Sequence, residues 1–290
     1  MKILVLGASG MAGHTISLYF KEKGHNVTTL TRSPFFIGEN INMQLMVENL
    51  PELQGIVEEG NFEAIINCIG ILNENAEKEK DVAVFLNSYL PHYLSKITQN
   101  TKTKILHMST DCVFSGDEGN YQEDSFKDGT TFYDRTKALG ELNDEKNLTF
   151  RNSIIGPDIN ENGIGLFNWF MKQNGDISGY DKAIWSGITT LTLAKAMEAA
   201  LEHNLTGLYN LVNNDSINKY EMLVLFNRIF KESLINIKPE SKLVIDKSLK
   251  NTREDFSFVV PSYEDMFTEM KEWMENHTNL YSHYELGPTK

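Results

Sequence analysis

Two cysteines, seven prolines and no apolar run of membrane-spanning length in 290 residues set the first bounds on this chain. With only Cys68 and Cys112, a disulfide scaffold is excluded as its source of stability. Both sit in or beside apolar, strand-like runs, so they read as two reduced, buried thiols of a cytoplasmic protein. Basic residues are also in deficit: 27 Lys and Arg stand against 40 Asp and Glu, a formal net charge of −13. That balance excludes a general nucleic-acid or anionic-membrane binder. It leaves room for a small anionic ligand, because a helix end and a few cationic side chains can hold a phosphate. Nothing approaches the ~20 apolar residues of a spanning helix. The opening "MKILVLGASG" passes from a few apolar residues straight into glycines, as a buried strand does and a signal peptide does not. No metal-ligand spacing is present.

What is there is ordinary globular material, 41% hydrophobic and 23% charged, enough for one large α/β unit or a domain with a smaller appendage. Short β-branched runs, "KILVLG", "HNVTTLTR", "FEAIINCIG" (62–70), "KTKILHMST" (102–110) and "LTFRNSIIG" (148–156), alternate with helical patterns. Near-continuous apolar strands separated by helices predict a parallel sheet covered on both faces, a doubly wound α/β Rossmann fold. The first helix is expected to end near Gly24, and Pro91 is a candidate kink in "DVAVFLNSYLPHYLSKITQ". Past Pro157 the pattern loosens. This predicts a Rossmann domain over 1–158 and a smaller substrate-binding region over 159–290, with the strand "GLYNLVN" (207–213) a candidate to rejoin the main sheet.

Three motifs carry chemistry. "GASGMAG" places Gly7, Gly10 and Gly13 directly after the first strand and at the start of a helix. A tight turn and a close approach of backbone amides to a pyrophosphate both exclude side chains there. The second strand ends "TLTRSP" with no acid, so Arg32 and Ser33 suit a 2′-phosphate and point to NADP(H) over NAD. The strand at 102–110 ends in Ser109, Thr110 and Asp111, on the side of a parallel sheet where ligands bind. Downstream, "TTFYDRTKALGE" sets Tyr133 and Lys137 one helical turn apart. That spacing alone fits either a surface pair or a proton donor with its tuning ammonium.

"GASGMAG", "NCIG", "LNSYLPHYL", "STDCVFSG", "YDRTK" and "RNSIIGP" run in order between residues 7 and 157. Together they resemble the extended short-chain dehydrogenase/reductases, and within them the dTDP-4-dehydrorhamnose reductases. A weaker echo, "WSGITTLTLAKAM", reaches about residue 197. The resemblance implies Tyr133 as the general acid for a carbonyl oxygen. It implies that Lys137 lowers the tyrosine pKa and bonds the nicotinamide ribose, and that Thr110 polarises the carbonyl, with Ser109 a competitor. Cofactor contacts are implied for Gly7, Ser9, Gly10, Met11, Gly13, Arg32, Ser33, Cys68, Ile69, Gly70 and Asn87. Substrate contacts are implied for Asp111, Val113, Phe114, Arg151, Asn168, Trp169, Lys172 and Trp185. Arg151 and Asn152 stand where the family reads Arg-x-Ser, and structural support of the site is their preferred role. His14 reads as helix packing. The family pattern is departed from at Cys112, where an aromatic residue is usual.

The implied activity is NADPH-dependent reduction of a nucleotide-activated 4-keto-6-deoxy sugar for surface polysaccharide synthesis. Its partner would be a nucleotide-diphosphate sugar, and a homodimer is an open alternative. Competing readings are reduction of a UDP-2-acetamido-2,6-dideoxy-4-keto sugar, a sugar-nucleotide epimerase, or a non-catalytic NADP-binding regulatory subunit. A dehydratase wants further acids beside the threonine. Asp111 follows Thr110 but no glutamate does, which favours simple reduction.

Overall fold

Along the first strand, Ile3 and Val5 point into one apolar layer and Leu4 and Leu6 into another, so the run is apolar throughout because both faces are covered. The computed structural model describes residues 1–286. Its first half runs β1 (Lys2–Leu6), α1 (Met11–Glu22), β2 (Asn26–Thr31), β3 (Glu39–Asn42), α2 (Leu50–Gly60), β4 (Ala64–Asn67), α3 (Asn73–Lys78), α4 (Lys80–Ala83), α5 (Leu90–Ile97), β5 (Lys104–Met108), α6 (Phe132–Leu139) and β6 (Leu148–Arg151). The second half runs β7 (Ile154–Ile155), α7 (Leu166–Met171), β8 (Asp176–Tyr180), β9 (Ala183–Trp185), β10 (Ile188–Thr189), α8 (Thr190–Glu202), β11 (Gly207–Asn210), β12 (Ile217–Asn218), α9 (Lys219–Phe230), β13 (Asn236–Glu240), β14 (Ile245–Asp246) and α10 (Tyr263–Asn276).

Seven strands form the main sheet in the order β11-β6-β5-β4-β1-β2-β3, every neighbouring pair parallel. The connections leave β1 in opposite directions, to β2 on one side and β4 on the other. That is the switch point at which an open parallel sheet leaves a crevice beyond its strand ends. Residues of α1, α8 and α10 pack on one face, with residues of α2 and α5 on the other. β11 lies beside β6 in this sheet, although it follows the loosened region in sequence. The remaining strands are short: β10 pairs with β7, β13 with β8, and β9 is flanked by β12 and β14.

Two features depart from the periodicity reading. β3 was not legible, because "ENIN" is a half-exposed edge strand with no apolar alternation. The kink expected at Pro91 takes the form of a π-helical stretch, Val84–Tyr89, just before α5. Proline lacks the N–H that would bond the Asn87 carbonyl, and a widened turn relieves the clash of its ring there. Gly140 then packs against that carbonyl, where a Cβ would come within 1.9 Å of the oxygen. Both cysteines are free. Among the described residues no helix is long and apolar enough to cross a membrane, and no group of three His, Cys, Asp or Glu is placed to hold a metal.

Candidate active site

The glycine turn lies at the switch point. Gly7 has φ +76°, its N–H donates to the Leu30 carbonyl, and a Cβ there would lie 2.9 Å from Ile69 Cγ1. At Gly13 a Cβ would come within 2.2 Å of the Gly7 carbonyl oxygen, so the helix packs on the turn only without one. Ser9 and Gly10 are exposed at the mouth and Met11 is half-buried. No side chain caps α1, so its first amides face outward as donors for an anion. Cys68 and Ile69 are half-buried on the adjacent loop, and burial pushes the Cys68 thiol up to about 12. Gly70 is exposed and Arg32 and Ser33 are exposed beyond β2.

Asn87 is fully buried. Its Oδ1 accepts from the Ile71 N–H at 3.0 Å, and its Nδ2 donates to the Ile71 carbonyl and to Thr136 Oγ1. The side chain therefore staples the loop after β4 to α6, and any cofactor contact from it runs through that loop.

His14 confirms a packing role. Its Nδ1 lies 3.0 Å from the Gly10 carbonyl, which accepts, so Nδ1 carries the proton and Nε2 accepts from Tyr281 Oη at 2.8 Å. Trp273 Nε1 donates in turn to that tyrosine oxygen. Burial holds the imidazole down at about 4, and the chain Trp273–Tyr281–His14 ties the C-terminal segment to the glycine turn.

The start of α6 is fixed by a capping box. Thr131 accepts from the Asp134 N–H, and Asp134 accepts from the Thr131 N–H, each at 3.1 Å. Tyr133 and Lys137 thus share the inner face of α6, both buried. Thr110 lies beside Tyr133, and its hydroxyl donates to Asp111 Oδ1 at 3.1 Å and accepts from the Cys112 N–H. Lys137 Nζ donates to the Met108 carbonyl at 2.6 Å. Burial pushes the Tyr133 phenol well above its ordinary value, with Cys112 adding to the rise and Thr110 opposing it. Lys137 sits one turn from the phenol with its ammonium directed to a backbone carbonyl. Burial also lowers Lys137 to about 8, against the pull of Glu141.

Beneath this pair lies a buried ionic network that motif reading passed over, although Glu141 ends the same "ALGE" stretch. Glu141 Oε1 accepts from Ser109 Oγ at 2.6 Å and from Arg151 Nε at 2.9 Å. Its Oε2 accepts from Arg151 Nη2 at 2.9 Å and Lys127 Nζ at 3.0 Å. Burial resists ionisation of Glu141, but Arg151 and Ser109 outweigh it and hold the carboxyl below its usual range. Ser109 is thereby committed to Glu141, leaving Thr110 as the hydroxyl beside Tyr133.

Five of the eight expected substrate contacts are not on the cavity wall. Arg151 has no exposed surface and carries the network above. Val113 and Phe114 are fully buried; Phe114 stacks on Tyr121 at 4.2 Å and lies under the Arg151 guanidinium. These three belong to the packed support because the turn after Thr110 folds inward. Asn168 is buried and donates to the Glu161 and Gly163 carbonyls, pinning the loop before α7, and Lys172 Nζ donates to the same Glu161 carbonyl. Asp111, Trp169 and Trp185, by contrast, line a cavity of about 550 Å³, together with Cys112, Tyr180, Lys219, Glu240 and Lys247. The last four were missed, because they converge on Asp111 from distant parts of the chain.

The description "RmlD substrate binding domain" is that of the family whose model matches residues 1–254. Over 226 residues, 76% of each chain, the protein is 25% identical to the spore coat polysaccharide biosynthesis protein SpsK of Bacillus subtilis (strain 168). It is 29% identical over 143 residues to the dTDP-4-dehydrorhamnose reductase of Mycolicibacterium smegmatis, covering 48% of this chain and 40% of that one. The crystal structure of dTDP-4-dehydrorhamnose reductase from Bacillus anthracis in complex with NADP superposes with a TM-score of 0.77 at 21% identity, over 93% of this chain and 100% of that one, and so shares the fold. A parallel sheet with its switch point at a glycine turn, and a family match spanning most of the sequence, lead to one assignment: the chain belongs to the RmlD substrate binding domain family of the extended short-chain dehydrogenase/reductases.

Proposed function

We propose that this protein reduces the 4-keto group of a nucleotide-activated 4-keto-6-deoxy sugar with NADPH, serving surface polysaccharide synthesis. The observation that carries the reading is the buried Tyr133 phenol beside Thr110, one turn from the buried Lys137, with Asp111 next in sequence on the cavity wall.

The residues present fit the dinucleotide. Gly7 and Gly13 leave no room for side chains, the uncapped start of α1 offers amides to a pyrophosphate, and Arg32 with Ser33 suits a 2′-phosphate. When bound, the nicotinamide supplies the hydride. The chain supplies the proton and the polarisation. Tyr133 keeps its proton at neutral pH, so it is poised as an acid, and it delivers that proton to the carbonyl oxygen as the C–H bond forms. Thr110 turns its hydroxyl from Asp111 to the same oxygen. Lys137, still mostly charged at pH 7, offsets the phenolate left behind, which solvent reprotonates.

The test is NADPH oxidation with dTDP- and UDP-activated 4-keto sugars, the UDP-2-acetamido-2,6-dideoxy form included. Tyr133→Phe is expected to lose at least ~10²-fold in kcat. The rate of the parent protein should fall as pH rises through about 8, where Lys137 loses its charge. No oxidation with any such sugar, or an unchanged rate in Tyr133→Phe, overturns the reading.

A further inference from the structure

Glu77 stands on α3, but its carboxylate is bound to another helix. Its Oε1 accepts from the Phe132 N–H at 2.7 Å, across 55 residues of sequence. That N–H belongs to the first residue of α6, immediately before Tyr133. The start of α6 is already closed by its own capping box, Thr131 with Asp134, so the extra carboxylate adds a tie rather than a cap. It lies where the positive end of the helix dipole favours an anion. Among the described residues this is the one hydrogen bond that α3 makes to another element.

The inward face of α3 is a single residue. Ala76 has no exposed surface, while the other residues of the helix are all exposed. Ala76 packs in one cluster with Ala83 and Tyr133, and Ile71, Cys112 and Phe132 lie at its margin. The ring of the proposed proton donor is therefore held by small apolar side chains from α3, from α4 and from the turn after Thr110. Apolar contacts of this kind have no preferred direction, so the angle of the phenol depends on where α3 lies. The ends of this strap are fixed apart from Glu77. Asn87 pins Ile71 at one end, and at the other Lys80 Nζ lies 5.3 Å from the Phe132 ring centroid. Glu77 is the polar contact between them.

We propose that Glu77 is a positioning residue for the proton donor: by binding the first N–H of α6 it keeps Ala76 against the Tyr133 ring and so aims the phenol at the carbonyl oxygen. The assignment rests on the reductase reading above for what the phenol does. It adds a residue away from the cavity wall that sets the direction of the phenol. Glu77 is exposed and acts through α3 and Tyr133 rather than on the sugar nucleotide.

The experiment compares Glu77→Ala and Glu77→Gln with the parent, as full chains, in two measurements. One is hydrogen–deuterium exchange of residues 71–80, with α5 as the reference. The other is NADPH oxidation with whichever dTDP- or UDP-activated 4-keto sugar the parent reduces. In Glu77→Ala the loss of one hydrogen bond should speed exchange of 71–80 and lower kcat, each by about 3- to 10-fold. KM for the sugar nucleotide, NADP⁺ affinity and exchange in α5 are expected to stay unchanged. Glutamine keeps a carbonyl acceptor for the Phe132 N–H and should recover most of both losses. Because Glu77 acts through the phenol, Glu77→Ala should cost nothing further in the Tyr133→Phe background. Unaltered exchange of 71–80 in Glu77→Ala, faster exchange with an unchanged kcat, or an equal further loss in the Tyr133→Phe background each overturns the proposal. NADPH oxidation distinguishes this from the reductase reading. Turnover by the parent with a kcat that Glu77→Ala leaves unchanged sinks the Glu77 assignment alone. Absence of turnover with every 4-keto sugar sinks the reductase reading, and exchange of 71–80 then decides whether Glu77 holds α3 on Tyr133.

Discussion

Around Glu141 every carboxylate oxygen has a cationic partner, whereas Lys219 and Lys247 at the cavity make no ion pair among the described residues. The first region, from Ser109 through α6 to Arg151, is a closed lattice of short bonds under the proposed proton donor. The second, from Trp169 to Lys247, is a wall of short strands facing a cavity, where Lys219 and Lys247 make no ion pair among the described residues. Satisfied buried networks fix a geometry, and unsatisfied groups at a cavity await a ligand.

The strongest way to break this comparison is at Glu141. Removing it leaves Arg151 buried and uncompensated, so Glu141→Ala should cost about 3–5 kcal/mol in urea-induced unfolding. Glu141→Gln keeps the shape and the Ser109 bond while losing the charge, and should fall between. An Ala variant as stable as the parent would mean the network is not what holds this region.

How far the sequence revealed each region follows the same line. The five apolar runs and the glycine turn were legible because covered strands leave an uninterrupted local signal. Tyr133 and Lys137 were legible because their i, i+4 relation needs one helix, started by the Thr131–Asp134 box. Glu141 and Arg151 lie ten residues apart but meet across a strand, which no periodicity encodes. Lys219 and Lys247 reach Asp111 only once α9 and β14 fold back over the sheet ends, so neither composition nor spacing marks them. Val113 and Phe114 were misplaced for a related reason: adjacency to Thr110 in sequence does not determine which way the following turn buries its side chains.

His14 links the C-terminal segment to the glycine turn, and it sharpens the comparison through pH. The neutral imidazole is the folded form, with its pKa lowered by burial to about 4 against an ordinary 6.5. Above pH 6.5 neither state is protonated and the bridge contributes in full. As pH falls from 6.5 towards 4, the unfolded chain gains a proton that the folded chain refuses, and stability drops by on the order of 3 kcal/mol. His14→Gln removes that titration, so its unfolding free energy should change less between pH 7 and 4.5 than the parent's. Parallel profiles for the two proteins would show that the imidazole is not held neutral.

The smallest effect is expected on the cavity side, at Asn168. Its amide donates to two loop carbonyls, Glu161 and Gly163, while its Oδ1 is buried without a partner among the described residues. Asn168→Ala therefore loses two bonds but also removes one unsatisfied acceptor, and the terms largely offset. A net cost of about 1 kcal/mol follows, or a fall of roughly 2–4 °C in Tm. Lys172 still holds the Glu161 carbonyl, so the loop is not released altogether. Trp169, the next residue on α7, lines the cavity, so the change should appear in the KM for the sugar nucleotide while kcat is preserved. A loss in kcat to match Tyr133→Phe would erase the distinction between the two regions, because it would make the adaptable wall as rigidly coupled to the proton donor as the network beneath it.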